Sequence, residues 1–146
     1  MGYIFTEISQ NILDTSNCNK DINSSHGEKI IFLGVVRNIN LRKKVLAVSY
    51  EAFIPLAEKT LRDICIEAQS KFEPALDITC VHRIGKLKVG EISLFISTSS
   101  PHREASYQSS RYIIEEIKKR APIWKKEHYE EGESEWLKGH TLCEHV

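Results

Sequence analysis

Hydrophobic and polar positions follow one another in distinct patterns along the chain, and each pattern predicts a different element. Ile30-Ile31-Phe32-Leu33-Gly34-Val35-Val36 is apolar and rich in β-branched residues, and Arg37-Asn38-Ile39-Asn40 after it is polar. That is the pattern of a buried strand running into a turn. Val45 to Tyr50 supplies a second strand, and the basic turn Arg42-Lys43-Lys44 between the two predicts an antiparallel hairpin. Pro55 sits where a helix would begin. Beyond it Ala57, Leu61, Ile64, Cys65, Ala68 and Phe72 recur with helical spacing, which predicts one buried stripe.

The period then returns to two. Ile78, Cys80, His82 and Ile84 share one face while Thr79, Val81 and Arg83 share the other. Gly85 and Gly90 bracket a turn, after which Ile92, Leu94 and Ile96 alternate with Ser93, Phe95 and Ser97 in a strand able to return against the first. Ser100 and Pro101 have the chemistry of an N-cap and a first helical position. The helix they open runs to about Arg120, with Tyr112, Ile113 and Ile117 inward, and Pro122 ends it. Residues 14–27 are polar and aperiodic and are expected to be a loop; residues 137–146 are expected to be a flexible tail. Strands then helix, twice over, predict one α+β domain over residues 1–146 with a largely antiparallel sheet.

Charge and cysteine content narrow the function. Twenty Lys+Arg balance 20 Asp+Glu, so the chain lacks the net positive field of a non-specific nucleic-acid binder, and an anion site has to be built locally. The longest apolar run is far shorter than the roughly 20 residues of a membrane span. Met1 to Glu7 lacks the pattern of a signal peptide, so a cytoplasmic location is expected. Cys18, Cys65, Cys80 and Cys143 form no C-x-x-C pair and are expected to be reduced thiols. His140, Cys143 and His145 are capable of binding metal but lack a fourth ligand, and no metal site is expected.

His102 and Arg103 fall in the expected first turn of the second helix, where backbone N–H groups attract anions and disfavour cations. They fit an anion site, a solvated pair, or a salt bridge to nearby Glu104. Lys118 and Lys125 are seven apart, but Pro122 between them forbids a continuous helix, so one is helical and one lies beyond the bend. Clustered cations make each lysine harder to protonate and readier to act as an acid or base; a wet basic helix end is the plainer alternative. Arg37, ending an apolar strand, is placed to meet a ligand at a sheet rim. His82 shares its face with Ile78, Cys80 and Ile84 and fits a satisfied core histidine better than a ligand.

Five ordered segments carry a resemblance: Phe32-Leu33-Gly34-Val35-Val36-Arg37-Asn38, Tyr50-Glu51-Ala52-Phe53, His82 to Glu91, Pro101-His102-Arg103 and Lys118 to Glu127. Over about residues 30–136 the chain resembles the molybdopterin synthase catalytic (large) subunit family. The resemblance implies an α/β hammerhead fold and a homodimer. The dimer would bind a small ubiquitin-like sulfur-carrier subunit at each end, a heterotetramer in all. It also implies a sulfurtransferase of molybdenum cofactor biosynthesis. Sulfur would pass from the thiocarboxylate on the carrier's Gly-Gly tail to cyclic pyranopterin monophosphate, forming the dithiolene, with no metal or redox cofactor at this step.

Position by position, Lys118 and Lys125 match the family's catalytic lysines, while Arg37, His102 and Arg103 match its substrate anion-binding positions. Val35 and Val36 beside Arg37, and Lys126 and Glu127 beside Lys125, would line the same pocket, supported by Phe32 and Ile123. The resemblance departs at Asn38 to Lys44, which lacks a glycine that many members carry, and at His140, where some have arginine. An RNA-binding face built from Arg42-Lys43-Lys44 and Lys118 to Lys126 is the competing expectation, and zero net charge speaks against it. Retention of both lysines speaks against a third, a non-catalytic scaffold for the carrier.

Overall fold

The computed structural model describes residues 1–18 and 20–138. In chain order the elements are β1 (Ile4–Ser9), β2 (Glu28–Val35), β3 (Ile39–Asn40), β4 (Lys43–Ala52), α1 (Ile54–Lys71), β5 (Asp77–Arg83), β6 (Gly85–Lys88), β7 (Ile92–Ser100), α2 (Arg103–Arg120), β8 (Ile123–Tyr129), β9 (Gly132–Glu133) and β10 (Leu137–Lys138). They form two sheets. One has the order β1-β5-β7-β2; the other runs β10-β8-β4-β3, with β6 also on β4 and β9 on β8. Among the described residues only the β1–β5 pairing is parallel. The α+β class and the largely antiparallel pairing are as expected.

Both helices pack on one face of the first sheet. α1 turns Ala57, Leu61, Ile64, Cys65 and Ala68 inward, and α2 adds Ile113 and Ile117, against Ile78, Cys80, Leu94 and Ile96 of the strands. Gln69 is buried among these apolar groups because its Nε2 donates to the carbonyls of Gly2 (3.0 Å) and Leu76 (2.9 Å). Buried backbone acceptors rarely go unpaired, and this amide ties the start of the chain to the end of α1. Cys65 and Cys80 are free thiols in the same core, and the Cys80 thiol is pushed up by its contact with Cys65 and by burial. A smaller cluster of Val36, Val45, Val48 and Leu87 sits under the second sheet.

The structure corrects several expectations. The Ile30–Val36 run does not pair with Val45–Tyr50: β2 is an edge strand on β7, and β4 lies in the other sheet between β3, β6 and β8. Strand partners are chosen by which faces become buried across the whole chain, which a local pattern does not contain. A hairpin does form there, with β3: Leu41 and Arg42 take left-handed φ values of 49° and 66°, matching the two-residue turn that suits strand twist. Lys43 and Lys44 are therefore strand residues. The span between Gly85 and Gly90 is β6 rather than only a turn, held by Leu87 in the smaller core.

α2 starts later than Ser100-Pro101 implies. Ser100 ends β7, and its hydroxyl lies 2.6 Å from the His102 carbonyl oxygen and 2.7 Å from the Ser106 hydroxyl. Those contacts join strand to helix and leave His102 as N-cap and Arg103 as the first helical residue. The charged stretch after Pro122 is the strand β8, and residues 137–138 of the expected tail pair with Lys125 and Trp124. The remainder of that tail, with His140, Cys143 and His145, lies outside the described residues.

Candidate active site

α2 closes at Arg120, and Ala121 and Pro122 turn the chain directly into β8. Lys118, in the last turn of α2, and Lys125, on β8, thereby reach one cavity of about 160 Å³ from two sides of the bend. Strand alternation does the rest. Ile123, Lys125 and Glu127 are all buried on the face that β8 shares with Ala52, Tyr50 and Val48 of β4, their register partners. The first sheet contributes Phe32, Gly34, Val35, His82, Ser93 and Leu94, and Arg37 and Asn40 close the rim.

A polar chain crosses this rim. The Arg37 guanidinium donates to Asn40 Oδ1 (2.9 Å), and Asn40 Nδ2 donates to Glu127 Oε1 (2.7 Å). The same carboxylate oxygen accepts from the Tyr129 hydroxyl at 3.1 Å. Burial and the Glu127 charge raise the Tyr129 pKa, so the phenol stays a donor. Glu127 is only 4% exposed and Lys125 8%, so both polar ends are held largely out of solvent, where electrostatic effects are strong.

Of the expected residues, Val35, Val36, Arg37, Lys118, Lys125 and Glu127 share this cavity, with Phe32 and Ile123 beside them. Lys126 does not. As the neighbour of two cavity residues on a strand it takes the opposite face, where its ammonium sits 4.8 Å over the Trp136 ring. His102 and Arg103 are also outside the cavity, at the other end of α2 and exposed. Asn40, Tyr50 and His82 line the cavity without having been singled out as site residues. Tyr50 belongs to a quoted segment and His82 lay on a predicted strand face, whereas Asn40 carried no signal beyond its place in the polar stretch after Val36.

Two lysines and an arginine thus converge on one cavity of an α+β fold, and comparison with known proteins shows the family. The chain belongs to the MoaE protein family, whose model matches residues 8–120. Molybdopterin synthase catalytic subunit of Synechococcus elongatus is 41% identical over 119 residues, 82% of this chain and 72% of the relative. The Bacillus subtilis protein of the same name is 39% identical over 132 residues, 90% and 83% of the two chains. Among solved structures, molybdopterin synthase from Staphylococcus aureus superposes with a TM-score of 0.81 at 38% identity, covering 91% of this chain and 96% of that one.

Proposed function

We propose that this chain is the catalytic subunit of a molybdopterin synthase, a sulfurtransferase that moves sulfur from a carrier's C-terminal thiocarboxylate to cyclic pyranopterin monophosphate. The observation that carries this is the convergence of Lys118, Lys125 and Arg37 on one cavity. Both reactants are anionic. Cations fixed in a partly dry wall offset their repulsion, hold sulfur within attack distance and stabilise charge that develops during transfer. The carrier brings the nucleophile, so none of the cysteines is needed; Cys65 and Cys80 are sealed in the core.

Lys118 is the residue we assign to the thiocarboxylate carbon, and Lys125 to the pterin side as acid, base or charge stabiliser. His102 and Arg103 enter through a second copy of the chain. α2 is one continuous helix from Arg103 to Arg120, and sixteen residues at about 1.5 Å each set His102 and Lys118 roughly 24 Å apart. One small substrate cannot touch both in a single subunit. The outer face of the first sheet, with Phe5, Ile31, Leu33 and Val35 exposed, offers the apolar surface for that pairing. The cytoplasmic location belongs to the same proposal; among the described residues no helix is long and apolar enough to cross a membrane.

The test is to mix the protein with thiocarboxylated carrier and the cyclic pterin and to look for dithiolene product. No product from a carrier shown to be competent with another synthase would leave only the scaffold alternative.

A further inference from the structure

His82 belongs to the cavity wall but brings no charge to it. Its ring is held from two directions: Nδ1 lies 2.8 Å from the Arg83 carbonyl oxygen, and Tyr50 meets it edge-on with centroids 5.1 Å apart. A carbonyl only accepts, so Nδ1 carries the proton of the neutral imidazole and Nε2 is left as an acceptor. Burial lowers the pKa to about 4, opposed by the bond to the Arg83 carbonyl and assisted by the nearby Lys118 charge. The tautomer and the charge are therefore both set.

Nε2 itself has no hydrogen-bond partner among the described residues. Nε2 thus belongs to a buried residue that lines the cavity and, among the described residues, it is left without a donor. The same cavity is lined by Lys118 from α2, Lys125 from β8 and Arg37 beyond β2, whose side chains all donate. The Glu127 carboxylate is already engaged by Asn40 and Tyr129, and the Ser93 hydroxyl donates to the Gly34 carbonyl. His82 is a neutral acceptor in a wall otherwise built to receive anions.

We infer that His82 Nε2 accepts a hydrogen bond from an N–H group of the ligand that fills this cavity, selecting for an anionic ligand that also carries an N–H donor. The inference rests on the proposed function, in which two ligands have such groups: the pterin ring and the peptide groups of the carrier tail. A donor lost against a buried acceptor is discriminated strongly, because the acceptor is then left dry and unpaired.

The experiment uses the wild-type protein with 15N-labelled histidine, titrated separately with the cyclic pterin phosphate and with the carrier; the His82 signals are assigned by their absence from the His82→Gln spectrum. The expected result is an Nδ1–H tautomer whose Nε2 resonance moves upfield with one of the two ligands, which identifies the donor. Two variants then separate contact from packing. His82→Asn keeps a donor where Nδ1 stands and removes the acceptor; it should weaken that ligand about tenfold and leave the other unchanged. His82→Gln restores an acceptor near Nε2 and should stay within about threefold. An unmoved Nε2 with both ligands bound overturns the inference alone, as do equal losses in the two variants or a loss of turnover with both affinities intact. Failure of the wild type to bind either ligand overturns the proposed function, and the His82 contact with it.

Discussion

Lys118 and Lys125 differ in setting although they share a cavity: one ends a helix, the other is 8% exposed on a strand. Replacing either by alanine should reduce turnover by roughly 10²–10⁴, the span typical of a lost acid, base or charge stabiliser. Circular dichroism of each variant should remain that of the wild type; a collapsed spectrum would make the residue structural. His82 makes a separate prediction about stability. A histidine in the unfolded chain titrates near 6.5, whereas here it titrates near 4. Between those values the unfolded chain takes up a proton that the folded chain refuses, so stability falls as pH drops from 6.5 to 4 and is untouched above 6.5. The full effect is on the order of 3 kcal/mol. Urea unfolding at pH 7 and pH 4.5 should show a larger acid loss for the wild type than for His82→Gln; equal losses would refute the assignment.

Between the helices, Glu67 of α1 grips Arg120 of α2 through paired bonds of 2.7 and 2.8 Å and accepts from the Tyr112 hydroxyl at 2.6 Å. The Arg120 bonds, then the Tyr112 bond, lower the Glu67 pKa to about 2. Its contribution is complete above 4.5 and is lost as pH falls toward 2. Both side chains are more than a third exposed, so solvent limits the pair to about 1 kcal/mol or less. Glu67→Gln should lower the urea midpoint slightly at pH 7 and by less at pH 2.5; a larger loss at pH 7 would mean the clamp organises α2. The helices were legible in the sequence because a buried stripe such as Ala57-Leu61-Ile64-Cys65-Ala68 is a local spacing. Sheet partners were not, because β2 and β4 carry similar patterns and only burial across the chain separates them. β1 was missed for the same reason: Ile4 to Ser9 alternates, but its partner β5 lies about seventy residues away. The meeting of Lys118 and Lys125 at one cavity was legible through the segment around Pro122, whereas the outward turn of Lys126 follows only from the stretch beyond the proline being a strand.

In the whole molecule, the distance between His102 and Lys118 leads to the prediction with the plainest arithmetic. Mixing His102→Ala with Lys125→Ala subunits under exchange should give about half mixed dimers, each regaining one of two sites, so roughly a quarter of wild-type activity should return. No recovery despite confirmed exchange would exclude a shared site. The carrier's extended Gly-Gly tail should dominate its affinity, since glycine lets a chain enter a channel that side chains would block; unchanged binding after tail deletion would show docking elsewhere. The cavity wall has a further consequence. Because it is drawn from both sheets and from the end of α2, an anion seated there fastens separate layers of the fold to one another. Occupancy and folding are then thermodynamically linked: at a hundredfold excess over its dissociation constant, a ligand confined to the native state adds about 2.7 kcal/mol. The melting temperature of this domain should climb with the logarithm of pterin concentration, making heat resistance a gauge of how full the site is.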